Sequence, residues 1–137
     1  MIVQLAASAI IVRGDGRVLI GRRNDLKKIA PGLWETIGGK IENNETAEEC
    51  IRREIWEEIR SGVDSLEFFR HYVYRLSPEF EVRTEVFIVR LTDDPSPNEE
   101  DFSQIRWIKC DEMKTYNLIS EIQTRLSEYF EATASTA

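Results

Sequence analysis

Three glutamates crowd a stretch of five residues near the middle of the chain: Glu54, Glu57 and Glu58. On a helix, the spacing i, i+3 and i+4 places them on one face, where like charges repel by roughly 0.2–0.5 kcal/mol per pair. A hard divalent cation held among carboxylates reverses that repulsion, and oxygen ligands suit Mg²⁺ or Mn²⁺. The spacing therefore indicates a metal site. The alternative is a solvated acidic helix face, which Glu48 and Glu49 would extend.

A glycine pair followed by a cation precedes the glutamates, at Gly38-Gly39-Lys40. It supplies a flexible backbone and a positive charge. The segment is not a P-loop, because Trp34 stands where that motif needs a glycine and Ile41 where it needs Ser or Thr. A glycine pair alone is typical of a turn. Its place before the acidic cluster favours a role in binding.

A helix over 46–60 must position the glutamates. Thr46 and Glu49 form a capping box, in which the hydroxyl and the carboxylate bind the first free amides. Apolar residues recur every fourth position as one stripe, at Ala47, Ile51, Ile55 and Ile59. Gly62 is expected to end the helix. The preceding segment 24–45 is rich in turn-forming residues, and so long a loop in a compact domain is usually functional.

The rest of the chain predicts strands and one more helix. Strands on either side of Gly14-Asp15-Gly16 predict a β-hairpin over 4–23. Apolar and aromatic patterning predicts further strands over 66–75, 79–91 and 105–108, and a helix over 119–130. Residues 132–137 are expected to fray. The order of elements is that of one α+β domain over 1–137.

Composition excludes several function classes. A net charge of −7, from 18 basic and 25 acidic residues, argues against binding of long nucleic acids, which needs a dense basic face. One histidine, His71, excludes His-based triads and His-rich zinc sites. The two cysteines, Cys50 and Cys110, suggest no disulfide framework. Without a signal-peptide or membrane-span pattern, we expect a cytoplasmic protein that binds no membrane.

The glycine and glutamate motifs together resemble the Nudix box, written GX5EX7REUXEEXGU with U an aliphatic residue. The matching positions are Gly39, Glu45, Arg53-Glu54-Ile55 and Glu57-Glu58. The preceding Gly32-Leu33-Trp34-Glu35 and Gly38 are also usual in that family. The resemblance implies the Nudix fold, an α/β/α sandwich in which helices flank a mixed β-sheet.

The end of the box departs from the pattern. Arg60 stands where the box has glycine and Ser61 where it has an aliphatic residue, and Gly62-Val63 follow two positions late. Either the helix ends differently or the next loop carries a two-residue insertion. Neither change touches an implied metal ligand.

The resemblance also implies the chemistry. Glu54, Glu57, Glu58 and the Gly39 carbonyl would hold Mg²⁺ or Mn²⁺. Arg53 and Glu45 would form an ion pair that orients the loop on the helix. The general base would be Asp101, in the loop before the late tryptophan strand, or Glu54. Such a site hydrolyses a nucleoside diphosphate linked to another group.

Within the family, the chain is similar to the MutT-type nucleoside triphosphate pyrophosphohydrolases. That similarity implies hydrolysis of a (deoxy)nucleoside triphosphate, with an oxidised purine as favoured base, to monophosphate and pyrophosphate. Arg23 and Lys40 would meet the nucleotide, and Asn117 would bond the purine edge through its amide. Alternatives are solvated strand-end charge for Arg23 and a helix-capping role for Asn117.

Two other functions stay open. The same metal site could act on a nucleoside diphosphate sugar or another small diphosphate. A ligand-binding regulatory domain could keep the fold without turnover, although the three mutually repelling glutamates argue against that. We expect a small nucleotide as partner, and a monomer or, through exposed strand edges, a homodimer.

Overall fold

Two sheets and two long helices organise the computed structural model, which describes residues 1–134. The strands are β1 (Ile2–Ile11), β2 (Val18–Arg23), β3 (Trp34–Glu35), β4 (Ile37–Lys40), β5 (Val63–Ser77), β6 (Phe80–Leu91) and β7 (Phe102–Ile108). The helices are α1 (Ala47–Ile59), a 3₁₀ helix (Cys110–Thr115) and α2 (Ser120–Ala134). The fraying predicted for 132–137 is wrong for 132–134, because these residues belong to α2. Residues 135–137 lie outside the described range.

The larger sheet is mixed, with the order β4-β1-β6-β5. β1 pairs in parallel with β6 and antiparallel with β4, although β1 and β6 are far apart in sequence. The smaller sheet is antiparallel, with the order β3-β2-β7. β4, which carries the glycine pair, is therefore an edge strand.

The predicted β-hairpin over 4–23 is wrong. β1 and β2 meet at an antiparallel bridge between Val12 and Val18, then separate into different sheets. The turn itself forms, and Asp15 binds the guanidinium groups of Arg13 and Arg17. Turn residues are a local signal, whereas the pairing of β1 with β6 is a long-range one that the sequence pattern does not reveal.

Two apolar cores cover the two faces of the larger sheet. Alternation along β1 divides its side chains, so that Ala9 and Ile11 pack toward α1 while Ile10 packs toward α2. The apolar stripe of α1 is buried as predicted. Leu126 on α2 is fully buried in the other core. The expected α+β architecture, a mixed sheet with helices on both faces, is confirmed.

The helix predicted over 46–60 is confirmed, but the residue that terminates it is Arg60 and not Gly62. Thr46 and Glu49 form both bonds of the capping box. Arg60 takes the left-handed conformation, with φ 56° and ψ 45°, and its N–H donates to the Trp56 carbonyl. Arg60 thus adopts the backbone shape for which glycine is favoured, and neither an insertion nor a longer helix is needed.

Ser61 fits the aliphatic position of the box because its hydroxyl is satisfied. The residue is fully buried. Its Oγ donates to the carbonyls of Gly62, at 2.8 Å, and Asp93, at 3.3 Å, and accepts from the Asp93 N–H. A buried polar group with such partners costs little.

Replacing Arg60 with glycine should stabilise the fold. The left-handed conformation costs a side chain about 1–2 kcal/mol, and the greater flexibility of unfolded glycine offsets part of the gain. We expect Arg60→Gly to raise the free energy of unfolding by about 0.5–1 kcal/mol, measured by urea titration. The matched control is Arg52→Gly inside α1, which should lower it by about 1 kcal/mol. A loss of stability for both variants would contradict the assignment.

Candidate functional site

The glycine pair lets β4 lie close to both β1 and α1. A Cβ on Gly38 would overlap the Ala7 carbonyl oxygen, which belongs to the neighbouring strand. A Cβ on Gly39 would overlap the carboxylate of Glu54. Glycine fits both positions because the space for a Cβ is already occupied, by the backbone of β1 at Gly38 and by the Glu54 carboxylate at Gly39.

Arg53 ties the β4–α1 loop to the acidic helix face. Its Nε and Nη2 donate to the two oxygens of Glu45, at 2.7 and 3.0 Å. Nη2 also donates to the Lys40 carbonyl at 3.2 Å, and Nη1 donates to Glu54 at 2.8 Å and to Glu57 at 3.3 Å. The hydrogen bond from Arg53 is the main reason that the pKa of Glu45 falls to about 2. The ion pair implied by the Nudix resemblance is present.

Glu58 is a buried acid beside Glu54. Burial raises the pKa of Glu58 far above its ordinary value, and a hydrogen bond with Glu54 and the negative charges of Glu54, Glu35 and Asp101 raise it further. Its Oε2 is buried without a hydrogen-bond partner in the described part of the chain. An acceptor left in this state is destabilising unless a ligand satisfies it.

Glu57 lies on the outer side of the same helix turn. Its side chain is 52% exposed and interacts with Arg53. Within residues 1–134, no three acidic, cysteine or histidine side chains converge closely enough to form a ready-made metal site. Even so, the donor set fits a hard cation, since it offers the unpartnered oxygen of Glu58, the neighbouring Glu54 carboxylate and an exposed Glu57. Rotation of Glu57 away from Arg53 would complete it.

The acidic loop between β6 and β7 caps the end of α1. The N–H groups of Ser96 and Asn98 donate to the carbonyls of Ile59 and Glu58, at 2.9 and 2.8 Å. The Asn98 side-chain amide donates to the Glu57 carbonyl at 3.2 Å. These bonds satisfy carbonyls that the helix end leaves free. They also hold the following Asp101 near Glu58.

A cleft of about 500 Å³ lies beside the acidic cluster, a volume typical of small-molecule sites. Seven charged residues from separate segments lie on its wall: Arg23, Lys27, Glu35, Lys40, Glu58, Asp101 and Arg125. Lys27 Nζ binds the Asp101 carboxylate at 3.2 Å, and Arg23 forms an ion pair with Glu35. Burial raises the pKa of Glu35, although the Arg23 charge opposes the rise.

The structure gathers most of the predicted site residues, but not all. Gly39, Glu58, Asp101, Arg23 and Lys40 all line the cleft. Arg53, Glu54 and Glu57 support this wall from α1.

Asn117 is an exposed residue and is not among the described residues that line the cleft. Its carbonyl accepts a hydrogen bond from the Trp34 N–H at 2.9 Å, which holds β3 in place. From the same segment, Ile119 faces the cleft instead. Purine binding by Asn117 stays a prediction.

Sequence reasoning gave no role to Glu35, Lys27 and Asn98. Glu35 belongs to the Gly32-Leu33-Trp34-Glu35 segment, which is usual in the resembled family, but this did not reveal its partly buried ion pair with Arg23. Lys27 and Asn98 lie in loops without a periodic pattern. Their partners are distant in the chain, so no local signal could have found them.

The family model of the NUDIX domain matches residues 3–130. The chain belongs to the Nudix family. Members of this family generally use a divalent metal ion.

Two named relatives are nucleoside triphosphate hydrolases. The chain is 31% identical over 108 residues to an oxidized purine nucleoside triphosphate hydrolase from Danio rerio, a match that covers 76% of this chain and 65% of the fish protein. It is 27% identical over 128 residues to the nucleoside triphosphatase NudI from Klebsiella pneumoniae, covering 86% and 91% of the two chains. A MutT-like protein from Streptomyces ambofaciens is 44% identical over 64 residues, which are 45% of this chain and 38% of that protein.

The fold is also that of solved Nudix structures. The crystal structure of a MutT NUDIX hydrolase from Burkholderia pseudomallei superposes with a TM-score of 0.81 over 93% of this chain and 98% of the other, at 21% identity. Within residues 1–134, neither helix has the length and apolar character needed to cross a membrane.

The two glycines of β4 should respond differently to alanine. Gly38→Ala places a methyl group against backbone, which cannot move locally, so we expect a loss of about 1–3 kcal/mol in the free energy of unfolding. Gly39→Ala meets only the end of the Glu54 side chain, which can swing away. That variant should keep its stability within about 0.5 kcal/mol and lose most of the activity proposed below. Equal destabilisation of both variants would contradict the argument that Gly38 meets immovable backbone whereas Gly39 meets a movable side chain.

Glu58 should make the metal-free protein less stable as the pH rises. Near pH 4 the carboxyl is largely protonated in folded and unfolded chains alike, whereas above its ordinary pKa of about 4.5 only the unfolded chain ionises freely. We expect Glu58→Gln, which mimics the protonated acid, to add about 0.5–2 kcal/mol to the free energy of unfolding at pH 8 in a chelator, and little at pH 4. The matched control is Glu57→Gln, which makes the same change at a side chain that is 52% exposed. An equal gain at both pH values would refute the burial argument.

Proposed function

We propose that this Nudix chain is a metal-dependent hydrolase that converts a (deoxy)nucleoside triphosphate to monophosphate and pyrophosphate. Oxidised purine nucleotides are the favoured substrates, in keeping with the name of the fish relative. The observation that carries the proposal is the buried, unpartnered Oε2 of Glu58, beside Glu54 and on the wall of a charged cleft. A glutamine or an apolar residue in this position would stabilise the fold more than an acid does, so stability does not explain the glutamate.

The metal ligands we propose are Glu54, Glu57, Glu58 and the Gly39 carbonyl. A bound Mg²⁺ or Mn²⁺ would supply Lewis acidity toward phosphorus and would lower the pKa of a bound water. Arg53 fixes the orientation of Glu54 and, through Glu45, the position of the β4–α1 loop. Burial raises the pKa of Glu58, and because a metal ligand must be deprotonated, binding of the cation would be coupled to release of a proton from this carboxyl group.

Cations around the cleft would bind the phosphate chain. Lys40 is exposed, and its ammonium group has no ion-pair partner among the described residues. Arg23 and Lys27 are each paired with a carboxylate on the wall of the cleft. We propose that Lys40 binds phosphate directly and that Arg23 keeps a defined position through Glu35, with free donors toward the nucleotide.

Asp101 is the general base that we favour over Glu54. Asp101 faces the cleft and is partly exposed, so water can reach it. Glu54 is only 14% exposed and its carboxylate already accepts a hydrogen bond from Arg53, so water reaches it less easily. Lys27 would then hold the Asp101 carboxylate in position until substrate binds.

Purine binding by Asn117 is not part of this proposal, because the residue does not line the cleft. Cytoplasmic location and a monomeric or homodimeric state likewise stay predictions.

A product assay tests the proposed function. The protein is incubated with Mg²⁺ and a panel of nucleoside triphosphates, oxidised purine nucleotides and nucleoside diphosphate sugars, and pyrophosphate and phosphate are measured separately. We expect pyrophosphate from triphosphates, with Glu57→Gln lowering kcat by 100-fold or more and leaving the fold intact. The control Glu48→Gln, exposed on the same helix, should have normal activity.

Three outcomes would contradict the proposal. Turnover of diphosphate sugars alone would favour the second substrate class. No turnover of any compound, with nucleotide binding retained, would favour a regulatory domain. Calorimetry that detects no Mg²⁺ or Mn²⁺ binding, with or without nucleotide, would remove the metal site itself.

A further inference from the structure

The cleft extends away from the acidic cluster across the face of the larger sheet that α2 covers. Lys40 on β4, Ala6 on β1, Thr84 on β6 and Tyr72 on β5 are paired in register, so they form one row across four strands. Strands lie about 4.8 Å apart, which places Tyr72 roughly 14 Å from Lys40. The first three residues of this row line the cleft. The cleft therefore leads from the phosphate-binding edge toward α2.

Arg125 on α2 closes the far side of this cleft. Its guanidinium lies over the Tyr72 ring, 5.3 Å from the ring centre. It lines the cleft together with Ile119 and Ile122 of the same segment. The α2 side of the cleft thus consists of two isoleucines and one cation, and the sheet contributes Gln4, Ala6 and Thr84.

The Arg125 guanidinium has hydrogen-bonding capacity that the protein does not use. Its Nε is buried without a partner, and no described residue accepts a hydrogen bond from its other nitrogens. Glu121, four residues earlier on α2, interacts with it only at long range. A buried donor without a partner destabilises the fold, and its retention in a cleft wall indicates a ligand.

The surroundings favour a nucleobase over a phosphate as that ligand. A phosphate usually needs several charged donors, but Arg125 is the one cation that α2 contributes to the cleft, beside Ile119 and Ile122. A planar base fits between apolar walls, and a single guanidinium then recognises its acceptor edge. Guanine presents two neighbouring acceptors, O6 and N7, that match the two parallel donors of an arginine, whereas adenine presents a donor at N6.

We propose that Arg125 is a specificity-determining residue, which donates hydrogen bonds to O6 of a guanine-type base, and also to N7 where oxidation has not added a proton there, and so favours guanine over adenine nucleotides. This inference rests on the proposed function for its substrate class. It concerns a residue that the Nudix box does not contain.

Steady-state kinetics with dGTP, dITP and dATP test the proposal. Hypoxanthine in dITP keeps O6 and N7 but lacks the 2-amino group. Comparison of dITP with dGTP therefore tests recognition of the O6 and N7 edge alone. We expect Arg125→Met to raise KM for dGTP and dITP by about 10- to 100-fold, to change kcat less than twofold and to leave dATP unaffected. Arg125→Lys keeps the charge but loses the paired donors, and it should also lose the preference.

The matched control is Arg70→Met. Arg70 also lies over an aromatic ring, that of Phe69, and contacts α2 through Glu128, but it does not line the cleft. It should keep the preference of the natural protein. An equal rise of KM for dGTP and dATP in Arg125→Met, or no rise in both Arg125 variants, would overturn the proposal.

Product binding separates this inference from the proposed function. Calorimetric titration with GMP and AMP needs no turnover. We expect GMP to bind the natural protein about tenfold or more tightly than AMP, and Arg125→Met to remove the difference. That result would support Arg125 as the base contact even if no triphosphate were hydrolysed. Equal binding of GMP and AMP by the natural protein would overturn the inference even if triphosphates were hydrolysed.

Discussion

One guanidinium group, that of Arg53, is the interaction on which the candidate site depends. It joins three parts that are separate in sequence: Glu45 in the loop, the backbone of β4 at Lys40, and the carboxylates of α1. Its bidentate bond to Glu45 fixes geometry as well as charge, because the planar fork permits one orientation. Without it, the β4–α1 loop would lose the side-chain bonds that hold Glu45 and the Lys40 carbonyl against the acidic face of the helix.

The candidate site contains polar groups that are buried without partners among the described residues. Glu58 has a raised pKa because it is buried, it is unpartnered at Oε2 and it lies near other acids, an arrangement that lowers stability. The fold tolerates it because α1 is anchored elsewhere, by its capping box, by its buried isoleucines and by the loop that caps its last turn. Arg125 is a second instance, since its unpaired Nε lies at the other side of the same cleft. Both unsatisfied groups face the space in which we place the substrate.

Sequence patterns predicted a helix or strand correctly where residues close together in the chain define it. The capping box of Thr46 and Glu49, the apolar stripe of α1 and the strands on either side of Ser77-Pro78 all formed. The hairpin over 4–23 failed, because β1 takes its partners from β4 and β6. The expected helix end at Gly62 failed for a different reason, since Arg60 accepts a conformation that side chains disfavour.

The sequence by itself determined the family, the α+β architecture and the acidic cluster, because fixed spacing along one helix places Glu54, Glu57 and Glu58 on neighbouring turns regardless of the rest of the chain. Only the tertiary structure decided which of them is buried, that Asp101 and Glu35 adjoin Glu58, and that Ile119 and Arg125 line the cleft while Asn117 does not. Burial and long-range pairing arise from how distant segments pack, and no periodicity within one segment encodes them.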